Sequence, residues 1–171
     1  LNIMIWITGL PCSGKTSLGR ALKKEIELRG IKCVHLDGDE LRLTMNIDYS
    51  DKNNFSEKKR RELSEIYSRF AKLIEDQGIL TIVSTVSMNN YIRELNRQIH
   101  KNYLEIYIKE SYEILKKRDN KGIYNNLSTL EIEKMWEKAE RPFSPDVIIP
   151  MEKNLNLNEC VNLIINAFFK K

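Results

Sequence analysis

Hydrophobic and polar positions follow two alternating patterns along the chain. Short apolar runs, typical of buried parallel strands, alternate with longer stretches whose apolar residues recur at helical spacing. The predicted strands are 3–8, 31–36, 79–84, 103–108 and 146–149, and the predicted helices are 17–29, 57–77, 89–100, 111–117, 130–139 and 157–169, whereas 41–54 is polar and irregular. The pattern predicts an α/β fold: one domain over residues 1–171 with a doubly wound, parallel five-stranded sheet.

Composition narrows the class of protein. With 42% hydrophobic and 30% charged residues, and no apolar run of about 18 residues, the chain is expected to be globular, without a membrane span. Three widely spaced cysteines without a C-x-x-C pair argue against a disulfide framework or a zinc site and favour a reducing cytoplasm. The net charge of +4 suits anionic small molecules and is too weak to indicate nucleic acid.

A phosphate-binding loop lies between the first predicted strand and the first predicted helix. Its residues match the pattern G-x-x-x-x-G-K-[ST] and are Gly9, Leu10, Pro11, Cys12, Ser13, Gly14, Lys15 and Thr16, with Ser17 following. In such loops the backbone N–H groups hold phosphate oxygens, so all nine residues are expected to bind ATP. Lys15 is expected to reach the β- and γ-phosphates as a catalytic cation, and the Thr16 hydroxyl to ligate Mg²⁺.

Two aspartates follow the second predicted strand. Asp37 and Asp39 flank Gly38 at a carboxyl strand end, where open α/β sheets bind ligands. The third predicted strand ends in Ser84, without the acidic residue that often completes a magnesium site there. Magnesium organisation and base catalysis are therefore expected from the two aspartates, as in a kinase that deprotonates a small-molecule hydroxyl.

Several segments resemble the adenylylsulfate (APS) kinases over almost the whole chain. These segments are Gly9–Thr16, Leu36-Asp37-Gly38-Asp39 with Arg42, Phe55-Ser56 with Arg60, Ser84-x-x-Ser87, and Arg118-Asp119-x-Lys121-Gly122-x-Tyr124. The resemblance implies a P-loop kinase that transfers the γ-phosphate of Mg-ATP to the 3′-hydroxyl of a small nucleotide. It is also compatible with a homodimer.

The resemblance also implies residue roles. Asp39 would be the base and Asp37 a second magnesium-side carboxylate, while Arg118 would lie against ATP in a mobile lid over about 118–141. The acceptor-side contacts would be Asp37, Arg42, Phe55, Arg60, Val86 and Lys121.

One helical turn departs from the family. After the F-S-x-x-x-R segment that ends at Arg60, APS kinases carry an E-N-I-R-R sequence that lines the acceptor pocket. This chain has Leu63 in place of the Asn, and Glu65 and Ile66 in place of the paired arginines. The F-T-G-I segment, whose Phe packs on the acceptor base, is also missing. We expect Leu63 and Ile66 to form an apolar wall of the acceptor pocket. Trp136 is expected either to stack on the acceptor base in place of the missing Phe or to pack in the core.

Three functions stay open on the sequence. The favoured one is a kinase with a changed acceptor, similar to the cytidine diphosphoramidate kinases of capsule modification, because the ATP-side residues are intact. A plain APS kinase with a rearranged pocket is the second. A non-catalytic ATP-binding regulatory domain is the third, against which the intact Lys15, Thr16 and Asp39 argue.

Overall fold

The computed structural model describes residues 3–119 and 122–170. Its centre is one parallel sheet of five strands, β1 (Met4–Thr8), β2 (Cys33–Asp37), β3 (Leu80–Thr85), β4 (Tyr103–Lys109) and β5 (Val147–Pro150), in the order β2-β3-β1-β4-β5. In register, Trp6 of β1 lies opposite Val83 of β3 and Glu105 of β4. The predicted parallel five-stranded sheet is confirmed.

Seven α-helices connect and cover the strands within the described residues. They are α1 (Lys15–Leu28), α2 (Gly38–Thr44), α3 (Glu57–Glu75), α4 (Asn90–Ile99), α5 (Tyr112–Lys117), α6 (Thr129–Lys138) and α7 (Leu157–Phe168), with short 3₁₀ turns at Lys52–Phe55 and Met151–Lys153. No described helix is long and apolar enough to cross a membrane.

Helix α2 was not predicted, because 41–54 had been interpreted as irregular chain. It forms because the Asp37 carboxylate caps it, accepting hydrogen bonds from the backbone N–H groups of Asp39 at 3.0 Å and Glu40 at 3.4 Å. Such a cap satisfies donors that a helix start otherwise leaves unpaired. The same carboxylate therefore ends β2 and starts α2, at the carboxyl edge of the sheet.

The sheet is buried on both faces, as a doubly wound fold requires. Ile5 and Ile7 of β1 belong to a core cluster that includes Leu22 of α1. Met4 and Trp6, the alternate residues of the same strand, belong to a second cluster built with α3. Because successive side chains of a strand point to opposite faces, β1 supplies both cores and reads as continuously apolar.

One close contact between α1 and β2 gives a stability prediction. A Cβ atom at Gly19 would lie 2.3 Å from His35 Nε2 and 2.6 Å from Ser84 Oγ, and these two side chains are themselves 2.9 Å apart. We expect Gly19→Ala to lower the free energy of unfolding by about 1–3 kcal/mol through overpacking, although alanine is the better helix former by about 1 kcal/mol. Urea unfolding measures it.

The control removes the side chain that the new methyl group would meet. In a His35→Ala background, Gly19→Ala should lose at least half of its penalty, because the imidazole no longer occupies the space. Lys24→Ala, on the exposed side of α1, should stay within about 0.5 kcal/mol of the parent. An equal penalty with and without His35 would contradict the packing explanation.

Candidate active site

A large cleft opens at the carboxyl ends of the strands. Its volume is about 1900 Å³, and it is bordered by the phosphate-binding loop, the start of α2, one side of α3, the segment after β3, α6 and the segment after β5. A single drug-sized ligand occupies a pocket of about 300–1,000 Å³. The cleft therefore has room for two substrates side by side.

The phosphate-binding loop has the backbone that its pattern predicts. Gly14 has a φ of 93°, in the left-handed region that glycine adopts without steric cost, and it forms the N-cap of α1. Cys12 also has a positive φ, of 63°. The Lys15 ammonium donates to the Leu10 carbonyl at 2.8 Å, above its own loop. The loop thus places backbone donors and a cation at the start of a helix, which favours anions.

The hydroxyl and the carboxylate expected at a magnesium ion lie in contact. Thr16 Oγ1 donates to Asp37 Oδ2 at 2.6 Å, and both residues line the cleft. Proteins commonly hold Mg²⁺ through one or two carboxylates, substrate phosphates and waters, so this donor set fits the ion. Among the described residues no cluster of three or more His, Cys, Asp or Glu side chains is placed to hold a metal, and such a magnesium site needs none.

Asp39 lies in the first turn of α2, exposed in the cleft and two residues from Asp37. Tyr49 reaches it from the loop after α2, with the hydroxyl 3.3 Å from the Asp39 carbonyl oxygen and 3.5 Å from Oδ1. The carboxylate is thus accessible to a ligand and close to the magnesium-side pair.

Two arginines line the cleft, Arg42 in α2 and Arg60 in α3. The Arg42 guanidinium lies 5.0 Å from the centre of the Phe55 ring and donates to the Asn54 carbonyl at 3.0 Å. The pKa of Arg60 is lowered by desolvation inside the cleft and by the positive charge of Arg42. Arg60 is nevertheless an exposed residue, so what matters for a ligand is that two cations stand close together. This side of the cleft favours an anionic group.

Arg118 approaches the phosphate-binding loop from the opposite side, with Nη1 4.0 Å from where a Gly14 Cβ would stand. The segment after Arg118 contains buried side chains that pack against the rest of the protein. Tyr124 is only 1% exposed and donates to the Pro11 carbonyl at 2.8 Å, and Ile132 and Ala139 are also buried. These contacts anchor part of the segment for which the resemblance implies a mobile lid. Lys121 lies outside the described residues.

The structure brings most of the predicted site residues together. Leu10 to Ser17, Asp37, Asp39, Arg42, Phe55, Arg60, Val86 and Arg118 all line the cleft, and Gly9 directly precedes the lining part of the loop. Their common position follows from the fold, since the carboxyl ends of parallel strands meet at one edge of a sheet.

Trp136 does not reach the cleft, although its neighbours in α6 do. Its ring packs edge-on against Tyr112, with centres 6.1 Å apart, and under the Arg141 guanidinium at 5.0 Å. Trp136 is half-buried at the border of the core, so the packing interpretation replaces the stacking one.

The expected apolar wall on α3 is also absent. Leu63 is buried in the core under the sheet, Ile66 is exposed, and Glu65 accepts hydrogen bonds from Arg69 and Tyr91. None of the three lines the cleft. The reason is helical periodicity: the side that carries Arg60 continues one turn later at Ser64, not at the positions three, five and six residues further on.

Several residues that line the cleft had no role assigned to them from the sequence. Arg61 of α3 stacks on Tyr91, with its guanidinium 3.8 Å from the ring centre, and the hydroxyls of Ser64, Thr85 and Ser87 form a buried cluster. Projecting α3 as a helical wheel from Arg60 would have selected Ser64. Nothing in the sequence indicated the pairing of Arg61 with Tyr91, which lie 30 positions apart.

Comparison with known proteins identifies the family. Residues 1–150 match the family model described as adenylylsulphate kinase. The chain is 38% identical to the cytidine diphosphoramidate kinase of Campylobacter jejuni over 168 residues, covering 95% of this chain and 94% of that one. It is 35% identical to the adenylyl-sulfate kinase of Bacteroides thetaiotaomicron over 175 residues, covering 99% and 85%.

A solved structure agrees in fold. The Mycobacterium tuberculosis APS kinase CysC, in complex with AMPPNP and APS, superposes with a TM-score of 0.79 at 25% identity, covering 96% of both chains. With a matching family model over most of its length and relatives well above 30% identity, this chain belongs to the adenylylsulphate kinase family of phosphotransferases.

Proposed function

We propose that the protein is a Mg-ATP-dependent kinase that phosphorylates the 3′-hydroxyl of a nucleotide, with cytidine diphosphoramidate as the favoured acceptor. The observation that carries the proposal is the grouping, in one cleft wide enough for two ligands, of a phosphate-binding loop, an exposed carboxylate and a pair of arginines. The three features match the three needs of phosphoryl transfer between nucleotides: a donor site, a base and an anion-binding acceptor site.

On the donor side, the loop from Gly9 to Ser17 would hold the phosphates of ATP through its backbone N–H groups. Lys15, now bonded to the Leu10 carbonyl, would turn to the transferring phosphoryl group and stabilise the charge that develops there. Arg118, close to Gly14, would cover the phosphates from the other side. Mg²⁺, held by Thr16 and Asp37, would supply charge neutralisation at the phosphates.

On the acceptor side, Arg42 and Arg60 would hold the anionic part of the nucleotide, with Phe55, Val86 and Lys121 as further contacts. The acceptor 3′-hydroxyl would then lie at Asp39, which accepts its proton while the oxygen attacks the γ-phosphorus and the bond to the ADP oxygen breaks. The Tyr49 hydroxyl near Asp39 Oδ1 would help to hold the carboxylate.

The choice of acceptor rests on the relatives. The C. jejuni cytidine diphosphoramidate kinase matches this chain along nearly the whole of both proteins. An APS kinase is the second candidate, because the B. thetaiotaomicron relative is almost as similar and the superposed M. tuberculosis enzyme was solved with APS. If the first candidate holds, a cytoplasmic role in capsule modification would follow.

A steady-state comparison of acceptors tests the proposal. At matched Mg-ATP, kcat/KM for cytidine diphosphoramidate should exceed that for APS by at least about a hundredfold, or roughly 3 kcal/mol of transition-state binding. A cytidine nucleotide and an adenosine nucleotide without the terminal group serve as controls for the base alone. Equal turnover of both acceptors would contradict the changed acceptor, and phosphorylation of neither would overturn the kinase proposal.

The segment 118–141 is proposed to act as a lid over the phosphates. Without ligand, its exposed amides after the Tyr124 anchor should exchange hydrogen faster than those of β3, because this segment buries fewer side chains than the sheet centre. A non-hydrolysable ATP analogue with Mg²⁺ should slow the exchange of the segment and leave β3 unchanged. Exchange that is equally slow in both segments without ligand, or unaffected by the analogue, would contradict a lid.

A further inference from the structure

Three buried hydroxyl groups form a continuous chain in the wall of the cleft. Ser64 Oγ of α3 donates to the Arg60 carbonyl oxygen at 2.8 Å. Ser64 Oγ also lies 2.5 Å from Ser87 Oγ, and Ser87 Oγ lies 3.1 Å from Thr85 Oγ1 at the end of β3. All three side chains line the cleft and are at least nine-tenths buried.

Counting protons fixes the direction of this chain. A hydroxyl has one proton to donate and two lone pairs that accept. Ser64 gives its proton to the Arg60 carbonyl, so Ser87 must donate in the contact with Ser64. Ser87 has then used its own proton, so Thr85 must donate to Ser87. The order is Thr85 to Ser87 to Ser64 to the carbonyl of Arg60.

The consequence is a group of hydroxyls with no proton left to offer. Ser64 and Ser87 each retain one unused lone pair, and Thr85 retains both. Thr85 also lies beside the start of α2, with Oγ1 3.1 Å from where a Gly38 Cβ would stand, between the two aspartates of that segment. A buried acceptor left unpaired is costly, so a ligand that supplies a donor here gains affinity.

We propose that this hydroxyl chain selects the acceptor nucleotide by receiving a hydrogen bond from it at Thr85, the donor being either a ribose hydroxyl or an exocyclic amine of the base. The inference rests on the proposed nucleotide kinase function, and it adds a determinant of specificity. A nucleotide with a carbonyl or a hydrogen atom in place of that donor leaves the Thr85 lone pairs unpaired or facing another acceptor, and is rejected.

The inference is tested by removing the Thr85 hydroxyl from the enzyme and the candidate donor group from the acceptor, separately and together. The parent and Thr85→Val, which keeps the shape and removes the hydroxyl, are compared on cytidine diphosphoramidate, its 2′-deoxy analogue and its uridine analogue. With the full acceptor, Thr85→Val should lower kcat/KM by about tenfold, the effect of one lost hydrogen bond. With the analogue that lacks the recognised donor, the same substitution should change kcat/KM less than about twofold.

Thr81→Val is the matched control. It makes the same change in the same strand, on the same face, but at the end remote from the cleft, so kcat/KM should be unchanged for all three acceptors. Thermal unfolding of each variant separates a folding defect from a loss of recognition.

Ser64→Ala gives a second test that keeps Thr85 in place. Without Ser64, Ser87 can donate to Thr85 instead, and the Thr85 proton turns to the cleft. Discrimination between the full acceptor and the analogue lacking the donor should then fall by at least about fivefold, because Thr85 can pair with a carbonyl. If Thr85→Val does not fold, the change in discrimination measured for Ser64→Ala tests the inference in its place.

The outcomes are distinct. Coupling of the variants to the 2′-deoxy change assigns the ribose hydroxyl, and coupling to the uridine change assigns the amine. If the parent enzyme is active but the effect of each enzyme variant on kcat/KM is the same with the full acceptor, the 2′-deoxy analogue and the uridine analogue, the inference is overturned. The kinase function is then left intact. A parent enzyme that is inactive on the cytidine acceptors but phosphorylates APS overturns the choice of acceptor and with it the inference, and a parent enzyme inactive on APS as well overturns the kinase function itself.

Discussion

Asp39→Asn is expected to lower kcat by roughly 10²–10⁴-fold, the range typical of removing a general base. The amide keeps the size of the side chain and its place in the first turn of α2, but it cannot take the proton of the acceptor hydroxyl. Because the ATP phosphates are assigned to the loop and Lys15, the affinity for a non-hydrolysable ATP analogue should change only a few-fold. Rapid-quench kinetics and calorimetry measure the two quantities.

Glu40→Gln is the matched control for this variant. Glu40 follows Asp39 in the same turn, is exposed, and pairs with Arg20 at 2.7 Å. Exposed ion pairs contribute about 0–1 kcal/mol, so its loss should leave kcat within about threefold of the parent. Parallel losses in ATP binding and turnover for Asp39→Asn would assign Asp39 to the metal or to the structure instead of to proton transfer.

Lys15→Ala is expected to lower kcat by roughly 10²–10³-fold, the cost of losing one group that stabilises developing charge. Lys15 begins α1, and its ammonium donates to the Leu10 carbonyl at 2.8 Å and to Ser13 Oγ at 3.4 Å. Its removal takes away a cation and little packing, so the thermal midpoint should stay near that of the parent. Single-turnover rates at saturating Mg-ATP measure the effect on the chemical step.

Lys24→Ala, in the same helix but exposed, controls for the loss of a positive charge on α1. Its kcat should equal that of the parent, because an exposed charge is screened by salt over a Debye length of about 8–10 Å. If Lys15→Ala retained more than about a tenth of kcat, the assignment of the phosphate-binding loop to the transferring phosphoryl group would be wrong.

The sequence determined the features that depend on local patterns. Apolar runs separated by amphipathic stretches specify strands buried on both faces and helices that cover them, so the parallel five-stranded sheet was predicted correctly. Gly14 specifies a left-handed backbone that other residues adopt at a cost, and Asp37 and Asp39 follow a strand whose end must lie at the ligand-binding edge. These are properties of short segments, readable without knowing what they pack against.

Helix α2 shows where this local reading fell short. Its residues between 38 and 44 are mostly polar, and the hydrophobic pattern alone gave no helix. The Asp37 carboxylate decides it by capping two backbone N–H groups while also accepting from Thr16. The capping residue was visible in the sequence, but its double engagement depends on α1 lying beside β2.

Only the tertiary structure decided which residues face the cleft. Leu63 turns to the core while Ser64 turns to the cleft, because the sheet fixes the rotation of α3. Trp136 packs on Tyr112 at the border of the core, outside the cleft. The hydroxyl chain joins Ser64 to residues more than 20 positions later in the sequence. Such contacts arise from how helices dock on the sheet, which is set by the packing of whole faces, and no single segment encodes that docking.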